Sequence, residues 1–589
     1  MHQSSAVNGN GNTVVQIEGN GNTIVLGTPY LKLTRFEADQ TGELTDLRLD
    51  HLRLLLPTAR AIPLVGRDEE MASLLQFVKD DSPRDIRARV LTGGGGSGKT
   101  RLALELCHRI KATWNAGFVT TQALARFFKQ QDASDWGWQK PTLIVFDYAA
   151  AHAAVLTQWL TELQDRPPPP HPLRLLLLER HADVDSGWHQ AVFSPGGWGH
   201  LRKRELLDPP EPVAIRSLPK PADRLAILSA VVERCAPELL EKLVNEPALP
   251  QQLSQSPWGG DPLYLAMAAL TIARSGDTSA LRLGRTDLAL EVAGHEQQRL
   301  RQLANSHGLD ANLLEHLCAC ITLAQGMPRA EAMALAESEK TATGFQNADA
   351  PARLVDALHQ AFPEGDDIAP IRPDLIGEAF LLRVWTQPER AQAIERLFEG
   401  KPQAVVESLV RLMQDFDASS EVPHHWFSSL IEAHKDDRER LELIDDSAPD
   451  ISVALSRINL DLAQRQFDLN QSESVADPAR KAHRYQMLCN AFSSNGQPEK
   501  ALTAAQEAEA IYREIAQQKP ETFSYGWAKS LHTLASSFNA LGQTENSLPF
   551  AHAAEELIHH LAERQPDVFV NDWATSLSNL AGYLHKLAL

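Results

Sequence analysis

Cysteine is scarce in this chain. Five occur among 589 residues: Cys107, Cys235, Cys318, Cys320 and Cys489. Their scatter excludes a disulfide-built scaffold and fits a reducing compartment. Cys318 and Cys320 sit two apart in a helical pattern, so they face different ways and do not read as a metal pair. Long apolar runs are also missing. The longest ones belong to short buried strands, which excludes a membrane-spanning helix. The N-terminal MHQSSAVNGNGN has neither a basic nor an apolar leader, so the expected location is cytoplasmic. Positive charge falls short as well: 56 Lys and Arg against 76 Asp and Glu give a net charge of −20. That argues against general binding to nucleic acid or to a membrane, since both need a basic footprint. The short basic runs Arg84 to Arg89 and Arg202 to Arg204 read as solvated faces. Nucleophile–base pairs, metal-ligand clusters and nuclease-type acid clusters are not visible. His181, His189, His200, His316, His424 and His425 stand without ligand-like neighbours and read as structural or solvated.

The length calls for several domains, roughly three to five. Residues 1–28 form a repetitive arm. Gly9-Asn10-Gly11-Asn12-Thr13 returns as Gly19-Asn20-Gly21-Asn22-Thr23, each copy leading into a short β-rich run. Asn-Gly pairs favour tight turns, but two such strands bury too little to stand alone. The arm is therefore either a floppy tail or a device for self-association or effector recruitment. Residues 29–60 read as a linker. From residue 61 to 220, strand and helix alternate. Strands are expected at Arg89–Thr92, Phe118–Thr120, Leu143–Phe146, Leu173–Leu178 and Pro212–Ile215, with helices around Met71–Val78, Lys99–Ile110 and Val155–Leu160. Near-continuous apolar strands between helices predict a parallel sheet covered on both faces. Pro167 to Pro170 reads as a surface loop. Beyond residue 221 the pattern is helical.

The C-terminal end repeats over a longer period. Gly496-Gln497 matches Gly542-Gln543, Pro520 matches Pro566, Trp527-Ala528 matches Trp573-Ala574 and Ser530-Leu531 matches Ser576-Leu577, each pair 46 residues apart. A helix–turn–helix unit at this spacing predicts an α-solenoid of tetratricopeptide type over residues 479–589, its loop longer than in the usual unit of about 34 residues. The helix running to Leu589 would either cap the array or leave it short. The recurring Trp residues read as packing between repeats. Lys529, His532, Ser536 and Asn539, with Thr575, Ser578 and Asn579, are the candidate contacts for a peptide or protein ligand.

Two motifs carry chemistry. Gly93-Gly94-Gly95-Gly96-Ser97-Gly98-Lys99-Thr100 satisfies G-x-x-x-x-G-K-[ST] between an expected strand and an expected helix. Glycines let backbone N–H groups converge on phosphates, and the helix N-terminus adds positive potential. Lys99 would reach the β- and γ-phosphates of a nucleotide and Thr100 would ligate Mg2+. Arg101 follows in the first helical turn and joins the candidate binding set. Leu143-Ile144-Val145-Phe146-Asp147 reads as a central strand ending in a magnesium-binding acid beside this loop. Tyr148 stands where a second acid would orient an attacking water, which leaves the base unassigned; Glu179 is the nearest alternative. Arg180, at the end of the apolar strand Leu173–Leu178, could report a γ-phosphate or could be a surface charge.

Taken together, these segments resemble the STAND class of P-loop NTPases, which includes NACHT and NB-ARC switch proteins. Val65-Gly66-Arg67 resembles the box that precedes the phosphate loop and borders the adenine. Gly260-Asp261-Pro262-Leu263 resembles a lid motif whose Pro262 lies near the base. Arg372 to Glu378 resembles a winged-helix segment of bacterial relatives with tetratricopeptide repeats. The resemblance implies a helical lid at 221–285, a winged-helix-like domain at 286–395 and a helical connector at 396–478. It implies ATP/ADP and Mg2+ as cofactors, with Lys99, Asp147 and Arg180 in any slow hydrolysis. It also implies a ligand-operated switch that oligomerises when open, serves signalling or anti-phage defence, and works with a separate effector. A turning-over ATPase that remodels a partner on the repeats, and a scaffold that uses nucleotide only for stability, are the alternatives.

Overall fold

The computed structural model describes residue 33 and residues 51–79, 86–119, 140–164, 171–182, 184, 187–193, 205–344, 350–447, 453–472 and 478–588. The repetitive arm, Thr120, the Pro167–Pro170 loop, His200 and Arg202 to Arg204 lie outside the described residues.

Five parallel strands make the first layer: β1 (Ile86–Thr92), β2 (Asn115–Phe118), β3 (Thr142–Asp147), β4 (Leu173–Glu179) and β5 (Val213–Ala214). Their order across the sheet is β2-β3-β4-β1-β5. The apolar patterning explains why the sheet is sandwiched. In β3 the residues Leu143 to Phe146 are all buried, and β4 is buried along its whole length. Alternate side chains feed two separate cores. Ile144, Phe146, Leu175 and Leu177 pack on one face with Trp159 and Leu160. Leu143, Val145, Leu176 and Leu178 pack on the other with Leu102, Leu106 and Phe77. This is the period-two alternation of a strand, with both faces covered by helices.

Arg87 and Arg89, the described arginines of the basic run entering β1, do not form a solvated face. Arg87 pairs with Asp208 at 2.9 Å, and Arg89 donates to the Asp208 carbonyl at 2.6 Å and to the Ser73 carbonyl at 3.0 Å. The Arg89 guanidinium lies 4.6 Å from the centre of the Phe77 ring. A long side chain in a strand can bury its stem while its head satisfies backbone carbonyls, and the sequence run gives no sign of this. Among the described residues no helix is long and apolar enough to cross a membrane.

From Pro221 the chain is mainly helical. A small three-stranded antiparallel sheet interrupts it, formed by β6 (Met327–Pro328), β7 (Pro363–Glu364) and β8 (Asp367–Ile368) in the order β6-β8-β7. One continuous apolar core runs from Leu54 through the Pro262–Ser275, Ala311–Leu323 and Asp374–Val384 helices to the Pro402–Phe416 helix and Leu462. That continuity brings residues 370–415 back over the top of the sheet.

The C-terminal helices Pro478–Ser494, Pro498–Gln518, Pro520–Ala540, Thr544–Arg564 and Pro566–Ala588 follow one another as hairpins. The 46-residue repeat is visible in their contacts. Trp527 Nε1 donates to Glu509 Oε1 at 2.9 Å, and Trp573 Nε1 donates to Glu555 Oε1 at 2.6 Å. Gly496 and Gly542 close the preceding helices with φ of 66° and 72°. Side chains rarely adopt that conformation, which accounts for glycine at both turns.

Candidate nucleotide site

The loop between β1 and the helix Lys99–Ile110 is built on glycine geometry. Gly93, Gly96 and Gly98 have φ of 156°, 85° and 94°. A Cβ on Gly93 would fall 2.8 Å from Ser97 Oγ and 2.9 Å from the Ile215 carbonyl, so this turn excludes any side chain. Lys99 Nζ folds back over the loop and donates to the Gly93 carbonyl at 2.5 Å and the Gly94 carbonyl at 3.3 Å. Burial lowers its pKa, against the pull of Asp147. Arg67 supports the loop from behind: it is buried, donates to the Ser97 carbonyl at 3.0 Å and pairs with Glu70 at 2.8 Å. Gly66, at φ 64°, lies so close to Asp223 that a Cβ would meet its Oδ2 at 2.6 Å. Arg101 is held by Glu105 at 3.1 Å, a carboxylate that also receives Arg60 and Arg109.

Asp147 ends β3, but β3 is not the neighbour of β1; β4 lies between them. The acid still reaches the loop, because Thr100 Oγ1 donates to Asp147 Oδ2 at 2.9 Å. Burial pushes the Asp147 carboxyl up to about 6, with the Thr100 hydrogen bond and Lys99 opposing it. A hydroxyl and a carboxylate this close, at the head of a helix, form a hard oxygen pair of the kind Mg2+ takes, so the residues present fit that ion. The intervening β4 delivers Glu179 and Arg180 between them. Glu179 is already committed: its two oxygens accept the Ala150 and Arg180 amides at 2.9 and 2.7 Å.

A cavity of about 630 Å3 opens on the loop. Its lining has an apolar part, with Leu54, Ile62, Val65, Ile227, Leu263 and Ala266, and a polar part with Lys99, Thr100 and Asp147. That volume suits a small ligand with a flat apolar part and an anionic part. Pro262 begins a helix directly over the loop: its Cγ lies 3.8 Å from where a Gly98 Cβ would be, and the Leu263 amide donates to the Gly96 carbonyl at 3.2 Å. Val65 and Pro262 therefore border one cavity, although 197 residues separate them in the sequence. Gly260 makes the approach possible, because a Cβ there would strike the Leu218 carbonyl at 2.4 Å. Asp261 fastens the turn by accepting from Ser217 Oγ at 2.6 Å and pairing with Arg285.

Asp374, Glu378, Arg411 and Asp415 reach the site although the sequence did not single them out for it. Tyr148, in the left-handed region at φ 56°, donates to Asp374 Oδ2 at 2.8 Å. Arg411 stacks over the Tyr148 ring at 5.4 Å and pairs with Glu378 at 3.3 Å. Arg180 does not stand free: both guanidinium nitrogens are held by Asp415, at 2.6 and 2.9 Å. Burial would lower the Arg180 pKa, but the Asp415 charge outweighs it and the net shift is upward. The spacings of Asp374 with Glu378, and of Arg411 with Asp415, put each pair on one helix face.

His316 belongs to a second buried cluster with Cys320 and Glu339, whose donor atoms lie within 4.8 Å of one another. Trp385 Nε1 donates to His316 Nδ1 at 3.1 Å, and His316 Nε2 lies 2.8 Å from Glu339 Oε2. Arg396 takes both Glu339 oxygens at 2.7 and 2.6 Å. His316, Glu339, Trp385 and Arg396 thus make one hydrogen-bonded network in the core.

No family model matches the chain and no curated protein matches it. Solved structures with a likeness include a signal-transduction ATPase with numerous domains (STAND) carrying a tetratricopeptide-repeat sensor, from Pyrococcus horikoshii. It is 14% identical over 89% of this chain and 74% of its own, at a TM-score of 0.28. Another is the ORC1 protein of Aeropyrum pernix in complex with DNA, 12% identical over 56% of this chain and 95% of its own, at 0.26.

Proposed function

We propose that this chain is an adenine-nucleotide-operated molecular switch of STAND type with slow or negligible turnover. The observation that carries the reading is the Thr100–Asp147 contact at the mouth of a glycine-built phosphate loop, roofed by helices from the far half of the chain. Lys99 and the loop amides would neutralise the phosphates, and Thr100 with Asp147 would hold Mg2+. Bound nucleotide supplies the switch with a terminal phosphate that can be present or removed. The apolar part of the cavity would take the base. Slow turnover is favoured by Tyr148, which is tied to Asp374, and by Glu179, whose oxygens are occupied by backbone amides. Neither is placed to take a proton from water.

On this reading the roof helices are the moving part and the C-terminal repeats are the sensor. A peptide or protein on the repeats can shift the equilibrium only if it binds the open arrangement better than the closed one. The open form would then oligomerise and bring the N-terminal arms together for a separate effector. The test is the identity of the nucleotide that copurifies with the full chain, followed by calorimetry with ADP, ATP and GTP in Mg2+. Adenine nucleotides should bind and GTP should not displace them at equal concentration. Equal binding of GTP would remove the adenine assignment, and rapid steady-state hydrolysis without any ligand would favour the turning-over alternative.

A further inference from the structure

The roof above the phosphate loop is crowded with buried charge. Asp374 and Glu378 come from the Asp374–Val384 helix, and Arg411 and Asp415 come from the Pro402–Phe416 helix. Arg180 rises to meet them from β4. Arg411 serves Asp374 and Glu378, and Arg180 serves Asp415 with both nitrogens. The Arg180 and Asp415 side chains are only 9% and 11% exposed. Asp415 also touches the loop itself: a Cβ on Gly95 would lie 3.2 Å from its Oδ1. Its carboxylate therefore sits between the loop, on the side of Lys99, and the strand-end arginine.

We propose that Asp415 stands in for the terminal phosphate of a nucleoside triphosphate, so that the closed arrangement accepts a nucleoside diphosphate and rejects a triphosphate. The inference rests on the nucleotide-binding reading above and deepens it by naming what the closed site discriminates. An arginine fork satisfies one planar or tetrahedral anion at a time, and here it is fully used. Both arginines of the roof, Arg180 and Arg411, are already paired with carboxylates, and Lys99, held by the Gly93 and Gly94 carbonyls, is the cation left for the nucleotide phosphates among the described residues. Glu378 Oε2 is buried without a hydrogen-bond partner, and burial together with Asp415 pushes the Glu378 carboxyl well above its usual range. Burial first, and the Asp415 charge second, thus disfavour a further negative charge at this place. A γ-phosphate entering beside Asp415 would add uncompensated charge in a dry place. It has to expel Asp415 and take Arg180 for itself. Asp415 shares its helix with Arg411, so its departure also loosens the hold on Asp374 and Glu378. Triphosphate binding and opening of the roof thus become one event, as a switch requires.

The test uses the full chain with Mg2+, ADP and a β,γ-imido ATP analogue. Wild-type protein should bind ADP more tightly than the analogue. Asp415→Asn and Asp415→Ala should raise affinity for the analogue by about tenfold or more while ADP affinity stays within about threefold. An unchanged ratio in either folded variant overturns the proposal. A second readout needs no variant: the analogue should raise hydrogen exchange across residues 402–416 in the wild type, and ADP should not. Equal protection of that helix by both nucleotides also overturns it. If the wild type binds neither nucleotide, the nucleotide-binding reading itself falls. Binding of both with no discrimination removes this inference alone.

Discussion

The Tyr148 hydroxyl and the Asp374 carboxylate meet at 2.8 Å across 226 residues of sequence. The contact ties the end of β3 to the roof helix. Burial raises the Asp374 pKa, but Arg411 and the Tyr148 hydrogen bond more than reverse this, so the acid stays ionised. Tyr148→Phe removes the donor and leaves Arg411 to hold Asp374 alone. A buried hydrogen bond to a charged group is worth about 1.5–3 kcal/mol. Hydrogen exchange across residues 374–384 should rise while the sheet stays protected. Tyr148→Glu should open the roof further, since it sets a like charge beside Asp374. Unchanged exchange in Tyr148→Glu would show that this contact does not hold the roof.

The sheet was legible in the sequence and the roof was not. Leu143 to Phe146 and Leu173 to Leu178 announce themselves as buried strands because apolar residues run between turn signals with only Arg174 among them. The phosphate loop is a local pattern with a local cause. Strand order is not local, and nothing in the residues of β4 says that it inserts between β1 and β3. The roof charges are harder still. Asp374, Glu378, Arg411 and Asp415 lie at ordinary helical spacings, where charged residues usually face water. They are distinguished only by what meets them in space, and Arg180 lies 235 residues from Asp415. The chain from 396 to 478 read as a connector because its function at the site depends wholly on that long-range contact.

Protonation of Asp147 gives the site a pH signature. Its carboxyl is pushed up to about 6 by burial. A raised folded value favours the neutral acid, so this contribution to stability is fully present below the unfolded pKa of about 3.9 and is lost as pH rises through about 6. Magnesium binding has the opposite dependence, because it needs the ionised form. Mg2+-dependent nucleotide affinity should fall as pH drops below about 6. Calorimetry in two buffers of different ionisation enthalpy near that pH should show roughly half a proton released on Mg2+ binding. Asp147→Asn should abolish the release. Proton release that persists in Asp147→Asn would assign it to another group.

Lys99 carries the flexible cation of the loop. Without phosphate to contact, its ammonium is satisfied by the Gly93 and Gly94 carbonyls. Lys99→Ala takes a counter-charge from Asp147 but leaves it the Thr100 hydrogen bond, so the sheet should keep most of its melting temperature. A charge-assisted contact worth about 1.5–3 kcal/mol predicts a loss of nucleotide affinity of roughly ten- to a hundredfold. Full affinity in a folded Lys99→Ala protein, measured by calorimetry, would remove the phosphate-loop assignment.

The repeats should be energetically separable from the nucleotide site. Trp527 links its helix to the preceding one through Glu509, and Trp573 repeats the link through Glu555. His559 stacks on Trp573 at 4.3 Å between ring centres. The indoles are half-buried, so each works by packing and by one hydrogen bond, without a deep core behind it. Trp527→Phe keeps most of the ring and loses the donor; Trp527→Ala loses both. The first should cost about 1 kcal/mol and the second about 2 kcal/mol, both confined to residues 478–588. Stacked units depend on their neighbours, so loosening one junction should raise hydrogen exchange on both sides of it and leave the helices before residue 472 unchanged. ADP affinity should not move. If the repeats are the sensor, Trp527→Ala should blunt the response to a bound ligand while leaving nucleotide binding intact, and removal of residues 480–589 should abolish that response. A truncated chain that still responds to its ligand would place the sensor in the helices between 400 and 475.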